Sequence, residues 1–97
     1  MSPRKAEPPV SRFASSIADQ IADLIAARGM SGAELARRIS RSQNYVASRL
    51  RKELAFSVTD LGVIAATLGV TPVSVVQCAH DRMVNSDVAS RWGHDVE

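Results

Sequence analysis

The sequence predicts an all-α domain of five helices, or six if the C-terminal segment forms one of its own. Three observations carry that expectation. Apolar residues recur every three or four positions along most of the chain, and no stretch alternates as a half-buried strand does. Helix-start signals are frequent, Ser31-x-x-Glu34 and Thr71-Pro72 being the clearest, and Gly29 and Gly69 stand where helices stop. The 97 residues include only four aromatics, Phe13, Tyr45, Phe56 and Trp92. The core is therefore built from Ala, Val, Ile and Leu, which suits small, closely packed helices.

Residues 1–11 hold three of the four prolines together with Arg4 and Lys5, and read as a flexible basic arm ahead of a domain over 12–80. The first helix is expected over 12–28. Ile17, Ile21, Leu24 and Ile25 share one face, Ser16 caps the start with Asp19 three residues on, and Gly29 supplies a left-handed stop. Ser31 caps a second helix whose apolar face is Leu35, Ala36 and Ile39. Ser40-Arg41-Ser42 is a polar turn, and Ser42 caps a third helix reaching Arg51, in which Val46 and Leu50 point inward. Phe56 anchors the next loop. Either Ser57 or Thr59 caps a fourth helix carrying Leu61, Ile64, Ala65 and Leu68. Thr71-Pro72 opens a fifth, with Val73, Val76 and either Ala79 or His80 facing in. Residues 81–97 form a tail, a continuation of that helix or a short extra one, with Met83, Val84, Val88 and Trp92 as its apolar residues.

Several function classes are disfavoured at this level. A single cysteine, Cys78, excludes an internal disulfide framework and a Cys-based zinc site within one chain; it is expected as a small buried hydrophobe. His80 and His94 are expected at the surface. No acid pair, metal-ligand spacing or phosphate loop is present, so the expectation is a non-enzyme with no metal, no cofactor and no small-molecule substrate. No apolar run approaches the roughly 20 residues of a membrane span, and the N-terminus lacks a secretory signal's apolar stretch. A cytoplasmic location follows as an expectation.

Charge is distributed unevenly. The net charge is only +2, yet no acid lies between Glu34 and Glu53, where Arg37, Arg38, Arg41, Arg49, Arg51 and Lys52 supply six of the twelve basic residues. Beyond Glu53 the balance reverses. Such a dipolar chain orients toward a polyanion better than its net charge implies. A short helix, a tight turn and a polar helix together outline a helix-turn-helix, whose second helix enters the DNA major groove. With Val46 inward at about 100° per residue, Asn44, Ala47, Ser48 and Arg51 point away from the core, flanked by Gln43, Tyr45 and Arg49. Gln43, Asn44, Ala47, Ser48 and Arg51 are the candidate base contacts: Asn or Gln pairs with adenine, Arg with guanine, and Ala lets a thymine methyl approach. Ser31, Ser42, Arg37, Arg38, Arg41, Arg49 and Lys52 are candidate phosphate contacts. Tyr45 either joins them or packs across the helix pair, and Arg49 also has Glu53 in reach at i+4. Arg4 and Lys5 are either a solubilising tail or an arm for the minor groove.

On these residues the chain resembles the lambda-type phage repressors and their bacterial relatives, the Cro/C1 or XRE helix-turn-helix class. The resemblance covers 15–79 and rests on Glu34-Leu35-Ala36, on Ser42-Gln43-Asn44-Tyr45-Val46, and on the run from Leu61 to Thr71. The run Tyr45 to Glu53 is also similar to repressor-like proteins of actinobacterial phages. The resemblance implies a compact lambda-repressor-like fold, Ala36 packed against the third helix, Gln43 and Asn44 at bases, and a phage or prophage repressor that occludes a double-stranded DNA operator. Two departures stand out: Gly32 replaces a phosphate-contacting glutamine, and Ser40 replaces the turn glycine. The family default is a homodimer, for which Val76, Val84, Val88 and Trp92 offer a surface; a monomer on a short asymmetric site is the other arrangement. An antitoxin of a toxin–antitoxin pair, or an interaction module without DNA binding, are the alternative readings.

Overall fold

The computed structural model describes residues 9–92, and over 89–92 the backbone alone. Arg4, Lys5 and His94, and the Trp92 side chain, lie outside what is described. Five helices follow in order: α1 Arg12–Ala27, α2 Gly32–Arg38, α3 Gln43–Leu50, α4 Val58–Leu68 and α5 Pro72–Trp92, with no strand among the described residues.

Every helix start uses the same chemistry. Ser11, Ser31, Ser42 and Ser57 each accept the backbone N–H three residues on, and Thr71 does so for α5. Each satisfies a donor that would otherwise lack a partner. Ser57 therefore caps α4, and the Asp60 carboxylate returns a bond to the Ser57 N–H, completing a capping box. The expected cap at Ser16 is corrected: Ser16 is buried inside α1, and the extended backbone of Ser11 admits the chain to the helix earlier.

The first four helix ends are also alike. After α1, Gly29 N–H donates to the Ala26 carbonyl and Met30 N–H to Ile25; after α2, Ser40 donates to Arg37 and Arg41 to Ala36. After α3, Lys52 donates to Arg49 and Glu53 to Ser48; after α4, Gly69 donates to Ala66 and Val70 to Ala65. This paired pattern requires one left-handed residue, which is Gly29, Ser40, Lys52 and Gly69 in turn.

Among the described residues the core is one cluster. Ile17, Ile21 and Ile25 from α1 meet Leu35, Ala36 and Ile39 from the α2 region, Val46 from α3, Ile64, Ala65 and Leu68 from α4, and Val75 and Ala79 from α5. Burying each large aliphatic side chain contributes about 1.5–3 kcal/mol. α1 packs against α5, and Arg12–Asp87 and Arg82–Asp23 ion pairs bridge the two. α5 leaves α4 at a 106° bend. Residues 81–92 continue α5 rather than forming a separate helix. Its inward face differs from expectation: Val75 and Ala79 are buried, whereas Val73 is 75% exposed and Val76 half-buried. Val75 and Ala79, four residues apart, form the buried line of α5, and Val73 lies off it. Cys78 is correspondingly exposed, one position off the buried line. His80 is exposed as expected.

Candidate nucleic-acid interface

α2 and α3 pack on each other, and the connection between them takes four residues, Ile39 to Ser42. Ile39 closes α2 and is buried, Ser40 turns left-handed at φ 61°, and Ser42 caps α3. Val46, fully buried, pins α3 to Leu35 and Ala36. Gly32 has a role of its own: a Cβ there would stand 3.2 Å from the Leu50 side chain. A larger residue at the start of α2 therefore asks the tip of the Leu50 side chain at the end of α3 to give by a few tenths of an ångström.

The outer face of α3 presents Gln43, Asn44 and Arg51 exposed and Ala47 half-exposed. Ser48 does not join them. It is buried, its hydroxyl donates to the Tyr45 carbonyl at 3.0 Å, and Arg49 Nη1 lies 3.3 Å from it. A serine that bonds a carbonyl three residues back on its own helix is satisfied locally and needs no outside partner. Ser48 is therefore corrected from an outward residue to an internal one. Ser31 and Ser42 are exposed, with their hydroxyls engaged as caps.

The cations are mostly engaged within the chain. Arg38 pairs with Glu34, Arg51 with Glu53 at 2.8 Å, and Lys52 with Asp19 at 2.8 Å. The hydrogen bond from Arg51 holds the Glu53 carboxyl below its ordinary range. The i+4 partner expected for Arg49 is thus taken by Arg51. Pairs this exposed are screened by water and hold their side chains only weakly. Arg37 is exposed and makes no ion pair among the described residues.

Arg41, Tyr45 and Arg49 belong to a different kind of arrangement. The Tyr45 hydroxyl donates to Asp60 Oδ2 at 2.7 Å, and Arg41 donates to Oδ1 at 3.3 and 3.4 Å. Asp60 itself is 1% exposed. The Arg49 guanidinium lies 3.6 Å from the Tyr45 ring centre and also donates to the Tyr45 carbonyl. Burial pushes the Asp60 carboxyl up, but hydrogen bonds from Tyr45, Ser57 and Arg41 outweigh it, leaving its pKa below the ordinary value. The same bond from Tyr45, followed by burial and the Asp60 charge, raises the Tyr45 pKa above 10 against the opposing arginines. Tyr45 thus packs across the helices and directs its hydroxyl to a carboxylate. Asp60 is the residue the sequence reading missed. Its signal was present as Ser57-x-x-Asp60, the same spacing that marks Ser31 and Glu34.

Elsewhere, an open apolar groove of about 460 Å³ lies between α1, α4 and α5, lined by Phe13, Ile17, Phe56, Leu61, Val73 and Val76 among others and by no charged side chain. Val84 and Val88 are exposed further along α5. Among the described residues no three His, Cys, Asp or Glu side chains converge to hold a metal ion, and no single helix is long and apolar enough to cross a membrane.

No protein-family model and no curated protein matches the chain. Solved structures do share its fold. One is the clp gene regulator ClgR from Corynebacterium glutamicum, with a TM-score of 0.79 and 19% identity over 89% of this chain and 92% of that one. A second ClgR structure gives 0.68 and 21% over 79% and 99%. The restriction-modification controller protein C.Esp1396I, as an arginine-to-alanine mutant, gives 0.69 and 19% over 76% and 99%. Over its described residues the chain is all-α, with five helices in the fold of these solved structures.

Proposed function

We propose that this chain is a sequence-specific double-stranded DNA-binding transcription regulator that reads its site with α3 in the major groove. The observation carrying the reading is the outer face of α3. Gln43 and Asn44 are exposed at the capped end of an eight-residue helix, Arg51 is exposed at the other end, and an acid-free basic segment surrounds them. Short amide side chains at that position suit base edges, and the neighbouring cations suit phosphates. Arg37, Arg38, Arg41 and Lys52 take the backbone role, together with the N-termini of α2 and α3. Ala47 leaves room for a thymine methyl.

The finer form of the reading is a phage or prophage repressor that blocks transcription by occupying an operator. A pair of chains on half-sites about 34 Å apart is the arrangement it expects, with the exposed Val84 and Val88 of α5 available to a second copy. The similarity in fold to a clp gene regulator and to a restriction-modification controller protein supports the general form.

Selection of bound genomic fragments at low and moderate salt tests this. Recovery of a common sequence is expected, with an affinity that falls steeply with salt. Asn44→Ala and Arg51→Ala are each expected to cost about 1–3 kcal/mol of selective binding. Fragments recovered without sequence preference, or variants that bind as wild type does, contradict the reading.

A further inference from the structure

α3 has eight residues, too few to hold a helix or a fixed direction alone. Its pose is set by what it touches. It packs on α2 and α1 through Val46 and Leu50. Those two residues stand four apart on one line along the helix, so by themselves they permit the helix to roll about that line. A third anchor off the line removes this freedom. Tyr45, about 100° round the helix from Val46, provides it by bonding the Asp60 carboxylate of α4.

The carboxylate is well placed to act as a fixed point. Asp60 is in the first turn of α4, 1% exposed, and its Oδ2 also accepts the Ser57 N–H at 3.1 Å, so its own helix cap holds it. Its Oδ1 takes Arg41, which stands between the left-handed Ser40 and the cap Ser42. One buried group therefore ties both the turn and the outward-facing helix to the scaffold. The carboxylate is buried while Arg41 stays partly exposed, and the hydrogen bonds between them are directional.

We propose that Asp60 is a positioning residue that sets the pose of α3, and so governs discrimination between DNA sequences without touching DNA. This rests on the reading of α3 as the DNA-reading helix. Paired base contacts depend on side-chain placement, whereas attraction to phosphates does not. Replacing Asp60 by asparagine removes a negative charge and releases Arg41. Binding to a preferred site then weakens while binding to other DNA holds or strengthens. General damage to the fold lowers both together.

The test compares wild type, Asp60→Asn and Tyr45→Phe on two duplexes at one salt concentration: the fragment selected above and a mixed-sequence duplex of equal length. Tyr45→Phe keeps the ring under Arg49 and deletes only the hydroxyl bond, so it serves where Asp60→Asn folds poorly. Tyr45 is the chain's single tyrosine. Its alkaline absorbance titration reports the contact without DNA, in wild type and in Asp60→Asn. The expected result is a loss of about tenfold on the selected fragment in both variants, unchanged or tighter binding to mixed DNA, and a Tyr45 titration that moves down toward 10 in Asp60→Asn. Equal losses on both duplexes, or an unchanged ratio in variants that fold, overturn the proposal alone. A wild type that does not distinguish the two duplexes removes the reading of α3, and the proposal with it.

Discussion

The scaffold helices α1 and α4 and the pair α2 and α3 end in the same backbone pattern, yet with different residues. α1 and α4 finish on Gly29 and Gly69, at φ 65° and 74°; α2 and α3 finish on Ser40 and Lys52, at 61° and 68°. Glycine adopts that conformation freely, whereas a residue with a side chain is strained there by about 1–3 kcal/mol. The strained ends are the two that bracket α3. Lys52 uses its side chain to reach Asp19 on α1, which offsets part of the cost. The scaffold is thus apolar and relaxed, while the pair beside it is polar, strained at both ends and joined to it through Asp60.

The contrast is broken most strongly in the core. Val46→Asp places an unpaired charge where nothing is exposed and is expected to abolish cooperative melting, whereas Val73→Asp, on an exposed position of α5, leaves the melting temperature nearly unchanged. A normal melt for the first, or collapse for the second, reverses the assignment of inside and outside. Next in size is the acid limb. Asp60 has a lowered folded pKa, so its stabilisation is present above about pH 4, the unfolded value, and is lost as pH falls through the lower folded one. Denaturant titrations at descending pH are expected to show this loss in wild type and less of it in Asp60→Asn.

Smaller effects sharpen the comparison. Ser40→Gly relieves the left-handed strain, and a gain of about 1 kcal/mol in unfolding free energy is expected. Lys52→Gly gains less because the Asp19 partner is lost. A destabilised Ser40→Gly removes the case for strain in the turn. Smallest is Arg38→Ala: its exposed pair with Glu34 leaves stability within about 0.5 kcal/mol, while binding to all DNA weakens alike and the salt slope drops by about one. Selective loss on one sequence contradicts a phosphate role for Arg38.

The starts of α2, α3 and α5, the inward faces of α1, α2 and α4, and the helix-turn-helix itself were legible because caps and apolar spacing act locally, whereas the cap of α1 was misplaced at Ser16. Ser31, Ser42, Gly29 and Gly69 do what their types prescribe. Legibility failed where a side chain's packing partners, near or far in sequence, decide. Ser48 points away from Val46 by angle alone, but the Arg49 side chain and the Tyr45 carbonyl enclose its hydroxyl. Val73 and Val75 are the same residue type two positions apart, yet one is 75% exposed and the other buried. Asp60 reads as one acid among several until Tyr45 and Arg41 close on it. Arg38 and Arg51 pair with acids four and two residues away, whereas the Asp19 partner of Lys52 is brought near only by the packing of α1.

Amide chemical-shift mapping during titration with a mixed-sequence duplex of about two helical turns, at low salt, tests the central claim most directly because the preferred DNA sequence need not be identified first. The account predicts shifts concentrated at Gln43, Asn44, Ala47 and Arg51 and at the start of α2, with the groove lined by Phe13, Leu61 and Val76 left quiet. Shifts centred on that groove, or a duplex that leaves α3 undisturbed, contradict it.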